Sequence, residues 1–175
     1  MRRLLLLRHG KAERAEAGEP DEDRPLAERG RSDASRIGLY LARHRLVPDR
    51  GLVSPSERTR ETWSRLTAAF ATVPPVVFDE RIYTGGPDAI LEAVRETPPA
   101  AATLIVIGHN PALHQLAALL AASGDIEARQ RLGESFPTSG LAVIGFAVPD
   151  WRGIHVAGGR LEHFVAPRSL RATSD

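Results

Sequence analysis

The 175-residue chain contains no cysteine. Disulfides, thiolate nucleophiles and cysteine-ligated zinc are thereby excluded, and the composition fits a reducing compartment. Long apolar runs are also missing, and no stretch approaches the ~20 residues of a membrane-spanning helix. The opening Met1-Arg2-Arg3 followed by Leu4 to Leu7 has the outline of a signal peptide, but the apolar run is too short and ends in a cation. A formal charge of +1 gives no bulk attraction to nucleic acid or a membrane surface. Arginine far outnumbers the single lysine, Lys11, and this bias carries no functional reading. Neither a dinucleotide-binding nor a P-loop glycine pattern follows the first apolar run, and there is no internal repeat or low-complexity segment.

What is present is the composition of a soluble globular protein, 42% hydrophobic and 26% charged. The length predicts one domain, over residues 1–167, with a frayed tail at 168–175 and a cytoplasmic location. Leu4-Leu5-Leu6-Leu7 reads as a strand buried on both faces. A polar loop from Ala12 to Glu22 precedes a helix carrying Leu26, Gly30, Ala34, Ile37 and Leu41 on one face. After a short strand at Leu52-Val53, Ser54 is placed to cap a helix with Pro55 at its first position and Glu57 completing a capping box. Thr59, Thr62, Trp63, Leu66 and Phe70 share that helix's inner face. Pro74-Pro75 breaks it, Val76 to Phe78 forms a strand, and a helix with Ile90, Leu91 and Val94 inward follows the Gly85-Gly86-Pro87 turn.

Thr103 to Ile107 is a second strong strand, and Asn110-Pro111 repeats the cap-then-proline entry to a helix burying Leu113, Leu116, Ala117 and Leu120. A polar helix over 125–133 and strands over 141–148 and 160–165, the last two as a hairpin, complete the reading. The alternation predicts an α/β fold: a three-layer α/β/α sandwich with a mainly parallel sheet.

Three strands thus end in Arg8-His9-Gly10, in Ser54-Pro55 with Arg58 one turn on, and in Gly108-His109-Asn110. In a parallel sheet these ends share one edge, where open α/β folds bind ligands. Two guanidiniums and two imidazoles there, with helix N-termini beside them, suit a phosphate dianion. Arg58 in a helix first turn is unfavourable to the helix dipole, which favours a functional over a structural role. His44, His155 and His163 lack metal-ligand spacing, His114 suits a helix surface, and Trp63 and Trp151 suit packing, so no metal site is expected.

These segments, taken in order, resemble the histidine phosphatase superfamily, whose fold is phosphoglycerate-mutase-like. The short chain, Asp23-Arg24-Pro25-Leu26 with Gly30, and Phe136-Pro137-Thr138-Ser139-Gly140 are similar to the SixA-type phosphohistidine phosphatases. The resemblance implies that His9 is the phosphoryl-accepting nucleophile. It implies that Arg8, Arg58 and His109, with Asn110 beside them, bind the substrate's oxygens. No metal or organic cofactor is implied. Mutase-like relatives place an acid after the third strand, where Glu80 stands. It is a candidate general acid with Asp23 behind it, or else a loop carboxylate paired with Arg81; SixA-type members commonly lack such an acid.

With no insertion to lid the pocket, the leading expectation is a phosphatase acting on phosphohistidine of a protein, such as a histidine phosphotransfer domain. The alternatives are a general phosphomonoesterase for small phosphate esters and a non-catalytic phosphate-binding regulatory module. Nucleic acid and membrane are not expected partners.

Overall fold

The computed structural model describes residues 1–172; the end of the expected frayed tail, 173–175, lies outside the described residues. From Pro167 to Ala172 the chain is helical (α7) rather than frayed. The sheet has seven strands: β1 (Arg2–Arg8), β2 (Arg50–Val53), β3 (Val76–Phe78), β4 (Thr103–Gly108), β5 (Ala121–Gly124), β6 (Leu141–Phe146) and β7 (Gly159–Val165). Their spatial order is β3-β2-β4-β1-β6-β7-β5. β6 pairs antiparallel with both β1 and β7, and every other pairing is parallel.

The strand period of two explains the two cores. Leu4 and Leu6 enter one apolar cluster, with Leu104 and Val106 of β4 and Ala142 and Ile144 of β6. Leu5 and Leu7 enter the other, with Ile105, Ile107 and Val143. Helices α3 (Glu80–Thr84), α4 (Pro87–Arg95), α5 (Ala112–Leu120) and α6 (Ile126–Glu134) cover the first face. Helices α1 (Glu28–Arg43) and α2 (Glu57–Thr67), joined by α7, cover the second. The result is the three-layer α/β/α sandwich of the phosphoglycerate-mutase-like fold. All four leucines of β1 are 0% exposed, as a strand at the middle of a doubly covered sheet requires.

Several local features differ from the sequence reading. α2 starts at Glu57 with Ser56 at its cap, two residues later than the Ser54 capping box predicts. α5 begins at Ala112 with Pro111, not Asn110, at its cap. β5 and the short α3 carry too little periodicity to be read in advance. Trp151 is completely buried in the first core, where its Nε1–H donates to the Ala101 carbonyl at 2.7 Å. Among the described residues no helix is long and apolar enough to cross a membrane.

Candidate active site

Sheet register assembles the site. Arg8 lies opposite Gly108 across β1 and β4, and Val53 lies opposite Ile107 across β2 and β4. The three strand exits are therefore level, and His9, Ser54 and His109 leave the sheet side by side. Backbone bonds tie the exits together: His9 N–H donates to Gly108 O, Ser54 N–H to Ile107 O, and Ser139 N–H to the carbonyls of both Arg8 and His9. Helix α1 closes from the other side through Gly30, whose Cα faces the Lys11 backbone so closely that a Cβ there would lie 2.1 Å from the Lys11 carbonyl oxygen.

A half-open pocket of about 290 Å³ is lined by Arg8, His9, Lys11, Ala12, Arg24, Arg58, His109, Asn110 and Thr138. Larger hollows exist, one bordered by Glu92, Arg95, Asp150 and Trp151 and another by Arg36, Tyr40 and His44. Neither gathers paired imidazoles and guanidiniums, and the chemistry resides in the smaller pocket. Its lining carries four cationic side chains and no carboxylate.

His9 is 8% exposed, and its Nδ1 lies 2.7 Å from the carbonyl of Gly10. A carbonyl only accepts, so Nδ1 carries the proton and Nε2 is left with a free lone pair. Burial pushes the His9 pKa down to about 4; the Gly10 bond opposes this, and the charges of Arg58, Arg8 and Arg24 reinforce it. The ring is neutral at pH 7. His109, its centroid 5.2 Å from that of His9, is pushed down to about 3, first by burial and then by His9 and Arg58. Arg8 NH1 donates to Phe136 O at 3.1 Å. Asn110 Nδ2 donates to that same carbonyl at 2.9 Å, so the side chain braces the pocket wall.

Arg58 is 5% exposed and is held by a residue that sequence reasoning passed over, Asp21. Its NH1 donates to the Asp21 carbonyl at 2.9 Å and its NH2 to Asp21 Oδ2 at 3.0 Å. The Tyr83 hydroxyl donates to Oδ2 at 2.6 Å, and Arg24 Nε donates to Oδ1 at 3.0 Å. Asp21 is consequently held well below the usual carboxylate range, first by Tyr83 and then by Arg58, against the effect of desolvation. The Tyr83 ring also packs 5.2 Å from that of His109. Arg24 and Asp21 belong to a loop with no periodicity; the Asp23-Arg24-Pro25 segment signals a constrained turn, but not where that turn lands.

The structure brings Arg8, His9, Arg58, His109 and Asn110 together. It does not bring in Glu80 or Asp23. Both are exposed, and neither lines the pocket. Glu80 is not the partner of Arg81 either, which binds Asp79 and Glu96. The physical reason is the helix start: Asp79 caps α3 by accepting the Arg81 N–H, which puts Glu80 in the exposed first turn. Among the described residues no three His, Asp or Glu side chains are grouped to hold a metal ion.

Three parallel strands whose ends bear paired imidazoles and guanidiniums around a carboxylate-free hollow are the arrangement of a phosphate-handling α/β protein. The comparisons give that class its family. Residues 4–83 match the family model of the histidine phosphatase superfamily (branch 1). The uncharacterized protein Rv1276c of Mycobacterium tuberculosis is 34% identical over 93% of this chain and 100% of its own length. A structure from Agrobacterium tumefaciens, named as a candidate phosphohistidine phosphatase SixA, is 31% identical with a TM-score of 0.78, covering 95% of this chain and 98% of that one. A Nakamurella multipartitia structure, named likewise, is 28% identical with a TM-score of 0.83, covering 95% and 96%. The chain belongs to the histidine phosphatase superfamily, and within it to the SixA-like members. It is a phosphatase by family.

Proposed function

We propose that this protein hydrolyses phosphohistidine on another protein, passing the phosphoryl group through His9. One observation carries the reading: a neutral, buried imidazole with its Nδ1–H fixed on the Gly10 carbonyl stands with Nε2 free in a pocket of four cations. In the first step the Nε2 lone pair attacks phosphorus. The P–N bond to the substrate imidazole breaks, and that ring leaves neutral, having taken its proton from solvent. The new phosphohistidine ring gains positive character, which strengthens its Nδ1–H bond to Gly10. Water then attacks phosphorus, the second P–N bond breaks, and orthophosphate and neutral His9 are regenerated.

Arg8, Arg58 and His109 hold the equatorial oxygens, with Asn110 bracing the wall. Catalysis of this kind is positioning plus electrostatic stabilisation. A protonated imidazole is already a good leaving group, so no dedicated acid is assigned, and Glu80→Gln leaves turnover of phosphohistidine unchanged. The preference for a protein substrate rests on the pocket's small volume and open mouth. A phosphorylated side chain on a protein surface reaches it without a lid. The domain expected over residues 1–167, completed by α7, acts as one catalytic unit without metal or organic cofactor, in the cytoplasm, where a histidine phosphotransfer partner would be met.

The test is a panel of phosphohistidine proteins, sugar phosphates and aryl phosphates offered to wild type and His9→Ala. The expected result is preference for a phosphohistidine protein and a labelled, acid-labile phosphoenzyme that is absent in His9→Ala. Faster turnover of small esters overturns the substrate class. A bound but unhydrolysed phosphate on every substrate identifies a regulatory module instead.

A further inference from the structure

We propose that Ser54 is a positioning residue that lets His109 donate a hydrogen bond to phosphate while staying uncharged, by reversing the bond between them. The proposal rests only on the phosphate-binding part of the functional reading, not on the identity of the phosphoryl donor.

The geometry is specific. His109 Nε2 lies 2.7 Å from Ser54 Oγ, and His109 Nδ1 lies 3.3 Å from Arg58 NH2. Guanidinium only donates, so in this geometry Nδ1 accepts, Nε2 carries the proton, and Nε2–H donates to Ser54. Behind Ser54 the hydroxyls form a chain with one consistent direction. Thr59 Oγ1–H donates to the Ser54 carbonyl at 2.6 Å, leaving Thr59 Oγ1 to accept from Ser56 Oγ–H at 2.7 Å. Ser56 Oγ then accepts from Ser54 Oγ–H at 3.5 Å, a long and weak bond. Ser54, Ser56 and Thr59 are all at most 1% exposed, so water does not supply these partners.

A phosphate dianion offers acceptors only. Because Nε2 is taken by Ser54, Nδ1 is the ring nitrogen left to meet the anion, and it must become a donor. Protonating the ring would also serve, but burial and the neighbouring Arg58 and Arg8 guanidiniums oppose the added charge. The alternative keeps the ring neutral. The half-buried ring swings from Ser54 to the pocket mouth, where Nε2 gives a proton to water and Nδ1 takes one from water, and it returns with no net charge gained. The Ser54 hydroxyl proton swings from its weak bond with Ser56 to Nε2. Arg58 NH2, released from Nδ1, turns to a phosphate oxygen. A hydroxyl both donates and accepts, so it satisfies Nε2 in either state, which an amide N–H or a carbonyl in that place could not do. This also accounts for the displaced start of α2: with Ser56 at the cap, the Ser54 side chain is free to serve His109.

The test uses the full chain with 15N-labelled histidine and inorganic phosphate. In the free protein the His109 signals are expected to show Nε2–H, and with phosphate bound Nδ1–H, the ring neutral in both. In Ser54→Ala a phosphate-bound Nδ1–H ring leaves a buried Nε2 unpaired, so phosphate affinity falls about tenfold. The Nδ1–H signature of His9 is unchanged there, and Ser54→Thr, which restores the hydroxyl, recovers most of the loss. Bound phosphate with the His109 proton still on Nε2, or a Ser54→Ala protein that binds phosphate like wild type, overturns the proposal alone. Failure of wild type to bind phosphate at all overturns the functional reading and this proposal together. Should Ser54→Ala not fold, the wild-type spectra decide the matter.

Discussion

Replacing Gly30 by alanine separates local preference from tertiary fit. Gly30 lies inside the first turn of α1, and in a helix interior alanine is favoured over glycine by about 1 kcal/mol. Helix propensity alone therefore forecasts a more stable protein. The surroundings forecast the reverse, because an added Cβ would sit 2.1 Å from the Lys11 carbonyl oxygen and 2.8 Å from the Lys11 nitrogen. These are backbone atoms and cannot swing aside as a side-chain end could. The Lys11 carbonyl is moreover committed to the Ala27 N–H at 2.8 Å. Relief requires α1 and the loop after β1 to separate by roughly 1 Å, and overpacking of this sort costs ~1–3 kcal/mol.

The displaced loop includes Gly10, whose carbonyl orients His9 and whose N–H donates to Thr62 Oγ1 at 3.1 Å. A misplacement of about 1 Å at a reacting group costs on the order of 100-fold in rate. The expected Gly30→Ala protein melts several degrees lower and loses roughly 10- to 100-fold in kcat. Gly133, in α6, is the control: nothing lies within 4 Å of its would-be Cβ, and Gly133→Ala is expected to raise stability by a few tenths to 1 kcal/mol with unchanged kcat. Urea denaturation and steady-state turnover on an aryl phosphate measure both. A Gly30→Ala enzyme as stable and as active as Gly133→Ala would refute the reasoning.

Two more outcomes follow from the same structure. The His9 pKa is lowered from 6.5 to about 4, so between those values the unfolded chain binds a proton that the folded one does not. Stability is therefore full above pH 6.5 and falls as pH drops toward 4, by roughly 3 kcal/mol from this buried ring. Denaturation midpoints across pH 4 to 8 check this, and a His9→Asn variant should flatten the slope. Trp151→Phe removes one ring of a fully buried indole and strands the buried Ala101 carbonyl, and should cost ~2–5 kcal/mol by chemical denaturation. A neutral result would mean that water or a shifted donor replaces the indole.

Local chemistry in the sequence was enough to locate the centre of this molecule. Four leucines in succession admit little but a strand buried on both faces, and a cation and imidazole at its exit mark the ligand edge of the sheet. The same logic reads β4 with His109, and α2 with Arg58. What the residues could not reveal from their neighbours was decided by packing. Asp21 and Arg24 sit in a loop without periodicity, and only the fold of that loop onto α2 sets the Asp21 carboxylate against Arg58. Ser54 has the composition of a helix cap, yet the strand register places it 2.7 Å from a histidine 55 residues away, and the cap passes to Ser56. Glu80 stands at a suggestive place in the order of elements, but the Asp79 cap turns it to solvent. Periodicity reports which face of an element is buried, because burial is averaged over many residues. Which single polar atom meets which is set by a few ångströms of register between segments far apart in the chain, and no local pattern encodes that distance.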